Sequence, residues 1–246
     1  MVISVHVDMS GVNRLAAVLD AKQKQVAFAA AKTLTQVAKD KLQPAIYAEM
    51  RKKFDRPTPF TMKGLRVKPA TKQDLTAMVY LKDAIIGGKN PNSLDYIIGQ
   101  EFTGGPRNRK GIERLLEQAG LISANEYVAP GAGATLDQYG NMSRGQLNQI
   151  VSQIRIGLDP YSWKSNSARS RRNVKRSGQL FWSRGGHLAR GVWMRDGATV
   201  KPILMVIKRP NYRQRIDLKA IADRVVAQEF NPLFVRNLDD ALRTAR

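Results

Sequence analysis

Between Asp159 and Asp196 the chain carries no acidic residue, while Lys164, Arg169, Arg171, Arg172, Lys175, Arg176, Arg184, Arg190 and Arg195 all fall there. Ser162, Ser165, Ser167, Ser170 and Ser177 interleave with them. A stretch of this composition buries too little apolar surface to offset its ordering entropy, so alone it reads as a mobile loop or arm. The core must therefore come from the segments on either side.

Those segments carry periodic patterns. Ile3, Val5 and Val7 alternate with polar residues, as in a short half-buried strand. From a cap at Ser10 or Asn13 a helical pattern runs to about Lys53, with Leu15, Val18, Leu19, Val26, Leu34, Val37, Leu42 and Ile46 near one face. Pro44 is expected to kink or divide this helix. The prolines of Arg56-Pro57-Thr58-Pro59-Phe60-Thr61 end the helical region. Leu65 and Val67, then Leu75, Ala77, Val79 and Leu81, alternate as strands around a turn at 70–74. Residues 87–92 read as a loop, and 96–102 as a short apolar strand closed by Gly104-Gly105-Pro106.

Further along, 112–119 reads as a short helix ended by Gly120, and 130–133 as a turn. Ser143 is placed to cap a helix over 144–156. Beyond the basic stretch, 191–195 and 200–207 read as a hairpin turning at Asp196-Gly197. Asp217 is placed to cap a last helix, with Leu218, Ile221, Val225 and Val226 inward and Pro232 kinking or ending it. The expected fold is α+β: a long N-terminal helix packed on a mostly antiparallel sheet, a helical and loop insertion, and a C-terminal helix. The expected division is a discontinuous core of 1–103 and 190–246, with 104–189 inserted.

Charge narrows the partners. Lys and Arg total 41 against 20 Asp and Glu, a net +21. A field of that sign attracts nucleic acid, an anionic membrane or an acidic protein surface. No apolar run is long enough for a bilayer, and 1–10 lacks the layout of a signal peptide, so the chain reads as made and used in the cytoplasm. With no cysteine, disulfides and thiolate metal sites are excluded.

Catalytic patterns are missing too. His6 and His187 stand in no metal-ligand spacing, and a zinc site needs three or four ligands. There is no Gly-x-Ser-x-Gly elbow or Walker phosphate loop, and Gly185-Gly186 reads as a flexible turn. A two-metal nuclease needs converging carboxylates, and Asp239-Asp240 is only an adjacent pair on a surface helix. The expectation is a non-enzyme without cofactor or metal. Its contact residues would be Lys164, Arg169, Arg171, Arg172, Lys175, Arg176 and Arg184, acting on nucleic acid or on an acidic neighbour. Trp182 beside them could stack on bases.

Three short segments carry a resemblance. Arg56-Pro57-Thr58-Pro59-Phe60-Thr61, Val67-Lys68-Pro69-Ala70-Thr71-Lys72 and Tyr139-Gly140-Asn141-Met142-Ser143-Arg144-Gly145-Gln146 resemble virion proteins of tailed phages and prophages. The order of a long basic helix (12–53), a sheet (65–81) and a strand feeding a final helix (201–227) is similar to minor tail proteins typified by the lambda tail-completion protein Z and related neck components. The resemblance implies a structural virion protein without catalytic residues, assembled in the host cytoplasm. It would work as a homo-oligomeric ring at the head–tail junction or elsewhere in the tail. Portal, adaptor or tail proteins would be its neighbours, packaged DNA would be within reach, and no membrane would be involved. A free-standing DNA-binding module and a nuclease are the rival readings from charge alone.

Overall fold

The computed structural model describes residues 23–82, 94–163 and 167–244. The strand expected at Ile3, Val5 and Val7, the first part of the long helix, the loop at 87–92, His6 and Lys164 lie outside the described residues. The protein is α+β, and it forms two compact units, one of 1–105 with 213–246 and one of 106–212. No helix among the described residues is long and apolar enough to cross a membrane.

In the first unit, α1 (Gln23–Gln36) passes through a π-helical segment, Val37–Leu42, into α2 (Gln43–Lys53). Pro44 explains the wide turn. It has no N–H for the carbonyl four residues back, and its ring crowds that carbonyl. An extra residue in the preceding turn relieves the conflict while the chain stays helical. Thr58 then caps the single turn α3 (Pro59–Met62), its Oγ1 accepting from the Thr61 N–H at 3.2 Å.

The strands β1 (Leu65–Lys68) and β2 (Met78–Leu81) pair antiparallel with Leu65 opposite Leu81 and Val67 opposite Val79. The expected turn between them holds, with Asp74 and Thr71 bonded to each other. The segment expected as a strand at 96–102 is instead a helix, α4 (Leu94–Thr103). Leu94, Ile98 and Phe102 recur every four residues on the core side while Ile97 stays exposed, so helical periodicity overrides the β-propensity of Tyr96-Ile97-Ile98.

The chain crosses to the second unit at β3 (Gly105–Pro106). There it forms α5 (Gly111–Gln118), β4 (Glu126–Pro130), α6 (Arg144–Gln153), α7 (Ala168–Ser177), β5 (Gln179–Ser183), β6 (Gly191–Asp196), β7 (Thr199–Lys208) and β8 (Asn211–Tyr212). It returns to the first unit as α8 (Leu218–Thr244). α8 packs along α1 and the π-helical segment, and its Leu218, Ile221, Ala222, Val225, Phe234 and Ala241 share one buried cluster with Ala29, Ala30, Leu34 and Leu42. Pro232 neither ends nor interrupts α8. Pro232 and Gln228 are both exposed, so water can take the carbonyl bond that proline forgoes.

The second unit is built on an antiparallel sheet ordered β4-β7-β6-β5. Its hairpin β6–β7 matches expectation, with Asp196 opposite Thr199 and Gly197 at φ 58° in the two-residue turn. Leu116 of α5 and Ile150 of α6 are fully buried in one cluster with Val128, Leu180, Val192 and Ile203 of the sheet. This hairpin corrects the expected division. Because β7 lies between β4 and β6, residues 190–212 belong to the inserted unit, and within the first unit the long helix packs on α8 and on the antiparallel β1–β2 pair.

Side chains hold some outward backbone groups at both edges of that sheet. On β4 the Val128 N–H donates to Glu113 Oε1 at 2.9 Å, and Arg109 Nη2 donates to the Glu126 carbonyl at 3.2 Å. On β5 the Leu180 N–H donates to Gln153 Oε1 at 2.8 Å, and Gln153 Nε2 reaches the Gly178 carbonyl at 3.4 Å. Edge groups held this way are withdrawn from pairing with another chain.

Candidate functional site

The expected mobile arm is in part a helix. Ser167 caps α7, its Oγ accepting from the Ser170 N–H at 3.2 Å, and Gly178 ends it at φ 80°. Arginine and lysine are good helix formers, and Ser170 and Val174 supply a partly buried side, so the high charge does not prevent a helix here. At about 100° per residue, Arg171, Lys175, Arg172, Arg176 and Arg169 follow one another around an arc of roughly 160°. Ser170 and Val174 lie opposite that arc. All five cations are exposed. No ion pair among the described residues involves any of them.

This concentration works against the helix that carries it. Arg169 and Arg171 sit in the first turn, near the positive end of the helix dipole, where each cation costs about 0.3–1 kcal/mol, whereas Lys175 and Arg176 in the last turn are favoured by it. The pairs Arg171–Lys175 and Arg172–Arg176 place like charges one turn apart, at about 0.2–0.5 kcal/mol each. A bound anion would reverse both penalties.

The other expected contact residues have different places. Arg184 is exposed on the loop after β5, outside the α7 arc. Arg190, from the same acid-free stretch, is committed to the scaffold: it pairs with Glu126 and donates to the Leu121 carbonyl at 3.1 Å. Arg195 lies over the Phe181 ring, 5.8 Å from its centroid.

Sequence reading missed two neighbouring features. A cleft of about 310 Å³ separates α6 from α7, lined by Asn148, Gln149, Ser152, Ser170, Asn173 and Arg176. The i, i+4 recurrence of Asn148 with Ser152 and of Gln149 with Gln153 is the signal that could have found this polar face. The second feature is a tip before α7, where Leu158 is 79% and Tyr161 98% exposed. The turn is fixed, since Asp159 Oδ1 accepts from the Tyr161 N–H at 2.9 Å and Trp163 Nε1 donates to the Gly157 carbonyl at 2.9 Å.

The unit also buries a charged group. Glu113 is fully buried and accepts from Arg107 Nη1 at 2.8 Å, the Lys110 N–H at 2.7 Å and the Val128 N–H at 2.9 Å. Burial alone would raise its pKa. The hydrogen bonds from Arg107 and from the backbone of Val128 and Lys110 outweigh that and hold the carboxyl below its ordinary value. With its lone pairs occupied in this way, Glu113 is a structural anchor rather than a proton donor or acceptor for a ligand. No group of three His, Cys, Asp or Glu able to hold a metal occurs among the described residues. The arrangement offers concentrated positive charge beside neutral hydrogen-bonding groups. No protein-family model, curated protein or solved structure matches the chain.

Proposed function

We propose that the chain is a structural protein of a tailed-phage particle, a tail-completion or neck subunit that assembles as a ring of identical copies at the head–tail junction. The observation that carries this reading is the α7 arc: five exposed cations with no ion-pair partner among the described residues. The three phage-like sequence segments supply the setting. Identical copies brought together repel one another through α7, so in a ring these helices turn toward something anionic: packaged DNA, or an acidic face of a portal, adaptor or tail protein. Because side chains hold some outward backbone groups at both edges of the larger sheet, copy-to-copy contacts run through helical and loop surfaces rather than through added strands.

Labelling the protein in purified virions and imaging them tests the proposal. Label at the neck of each particle is the expected result, and label absent from particles overturns it. The rival reading is a DNA-binding module with no structural role, also favoured by the α7 arc. It predicts DNA binding by a protein that never enters the particle.

A further inference from the structure

We infer that α7 is a duplex-DNA contact element that lies along the major groove and neutralises phosphates of both strands. The inference rests on the basic face described above, but not on the station of the protein in a particle. The width of the arc favours a groove over a flat acidic surface. A helix with its side chains is about 10–12 Å across, and the major groove is about 12 Å wide. A helix in that groove meets phosphates on both flanks and base edges between them. Arg171 and Arg169 stand at the two limits of the roughly 160° arc, placed for opposite strands, with Lys175, Arg172 and Arg176 between. A flat partner would engage the middle of the arc and leave one of the limits in solvent.

The residue types on the arc set the specificity. It holds only arginine and lysine, which can read guanine through O6 and N7, with no Asn or Gln to read adenine and no Glu or Asp to read cytosine. Most of the affinity then comes from phosphates, and the sequence preference that remains favours G·C pairs. The helix-dipole and like-charge penalties within α7 are relieved by that occupant, so backbone amides of 168–177 should exchange more slowly once duplex is bound.

The test uses the full chain and a short mixed-sequence duplex, titrated from about 50 to 200 mM salt. One variant changes Arg169, Arg171, Arg172, Lys175 and Arg176 to Gln. A control of equal net charge changes Lys24, Lys39, Arg51, Lys63 and Arg224 to Gln, all exposed in the first unit. The α7 variant should lose at least about 100-fold in affinity at low salt, and its log–log salt slope should flatten by about 4–5. The control should lose less than about tenfold, and wild type should bind a G·C-rich duplex more tightly than an A·T-rich one. A further variant with the four arginines changed to Lys keeps the charge and should keep the slope, which separates lost charge from a lost helix.

Equal losses in the α7 variant and the control overturn the inference. So does wild-type binding to polyglutamate as tight as to duplex, which would point to an acidic protein partner. Tighter binding to single strands overturns it as well. A virion reading that fails by imaging leaves these outcomes untouched, and the reverse also holds.

Discussion

In the unit of 1–105 and 213–246 the buried polar side chains among the described residues, Thr33, Thr61 and Asn237, are neutral. Asn237 of α8, 1% exposed, donates from Nδ2 to Thr33 Oγ1 at 2.9 Å and to Gln36 Oε1 at 2.7 Å, both on α1. In the unit of 106–212 Gln146 is neutral but Glu113 is charged, held by Arg107 and two backbone N–H groups. The neutral group fixes how two helices sit side by side, and its loss costs little because water or an apolar side chain can replace it. The charged group holds a sheet edge, and removing one partner strands the other in a low dielectric. The unit with the charged anchor also carries the basic helix, so it should be the one that responds to pH, salt and anions.

Spectroscopy can follow the two units separately. All three tryptophans, Trp163, Trp182 and Trp193, lie in 106–212, so their fluorescence reports that unit alone. Far-UV circular dichroism is weighted toward the long helices of the other.

The largest effect is expected from Glu113→Ala. It leaves Arg107 without its carboxylate and the Val128 N–H without an acceptor, a loss of about 3–5 kcal/mol. Denaturant unfolding should show it in the fluorescence transition, with the helical transition little changed. Equal shifts in both signals would break the comparison by making the units one cooperative block.

Acid should act next, in the same direction. The Glu113 pKa is lowered in the folded chain, so its contribution is complete above the unfolded value of about 4.5 and is lost as pH falls through the lower folded value. The neutral cluster around Asn237 does not titrate. On acidification the fluorescence transition should therefore precede the helical one, and a far-UV transition that comes first would contradict this.

Gln153→Ala removes both bonds to the outer edge of β5, at about 1–2 kcal/mol, and should add concentration-dependent association through the freed strand. Sedimentation at several concentrations checks it. The smallest change is expected from Asn237→Leu. Asn237 Oδ1 has no hydrogen-bond partner among the described residues, so trading the amide for an isosteric apolar group should move the helical transition by less than about 1 kcal/mol. A loss of several kcal/mol would show that the neutral cluster is as costly to break as the charged one.

Local signals in the sequence were read correctly where one short segment contained the whole cause. Asp196-Gly197 specifies its own hairpin, and Ser143 caps its own helix, accepting from the Gln146 N–H at 3.2 Å. β4 went unread because Glu126–Pro130 is short and its partner β7 lies far along the chain, so only the pairing reveals it. The helix at Leu94–Thr103 was misread because three apolar residues in a row fit either period until the buried stripe is known. In the candidate site, charge picked out Arg169, Arg171, Arg172, Lys175 and Arg176. That they share one arc depends on the Ser167 cap and the seating of Val174, which composition does not encode. Charge alone also could not separate these five from Arg190, which Glu126 holds.

The proposed station makes this chain a stoichiometric part of a phage particle. Its copy number in purified, DNA-filled particles, determined by quantitative mass spectrometry, tests that most directly. The account predicts a fixed whole number of copies per particle, consistent with a closed ring. Absence from the particles, or an amount that varies between preparations with contaminating host protein, would contradict it.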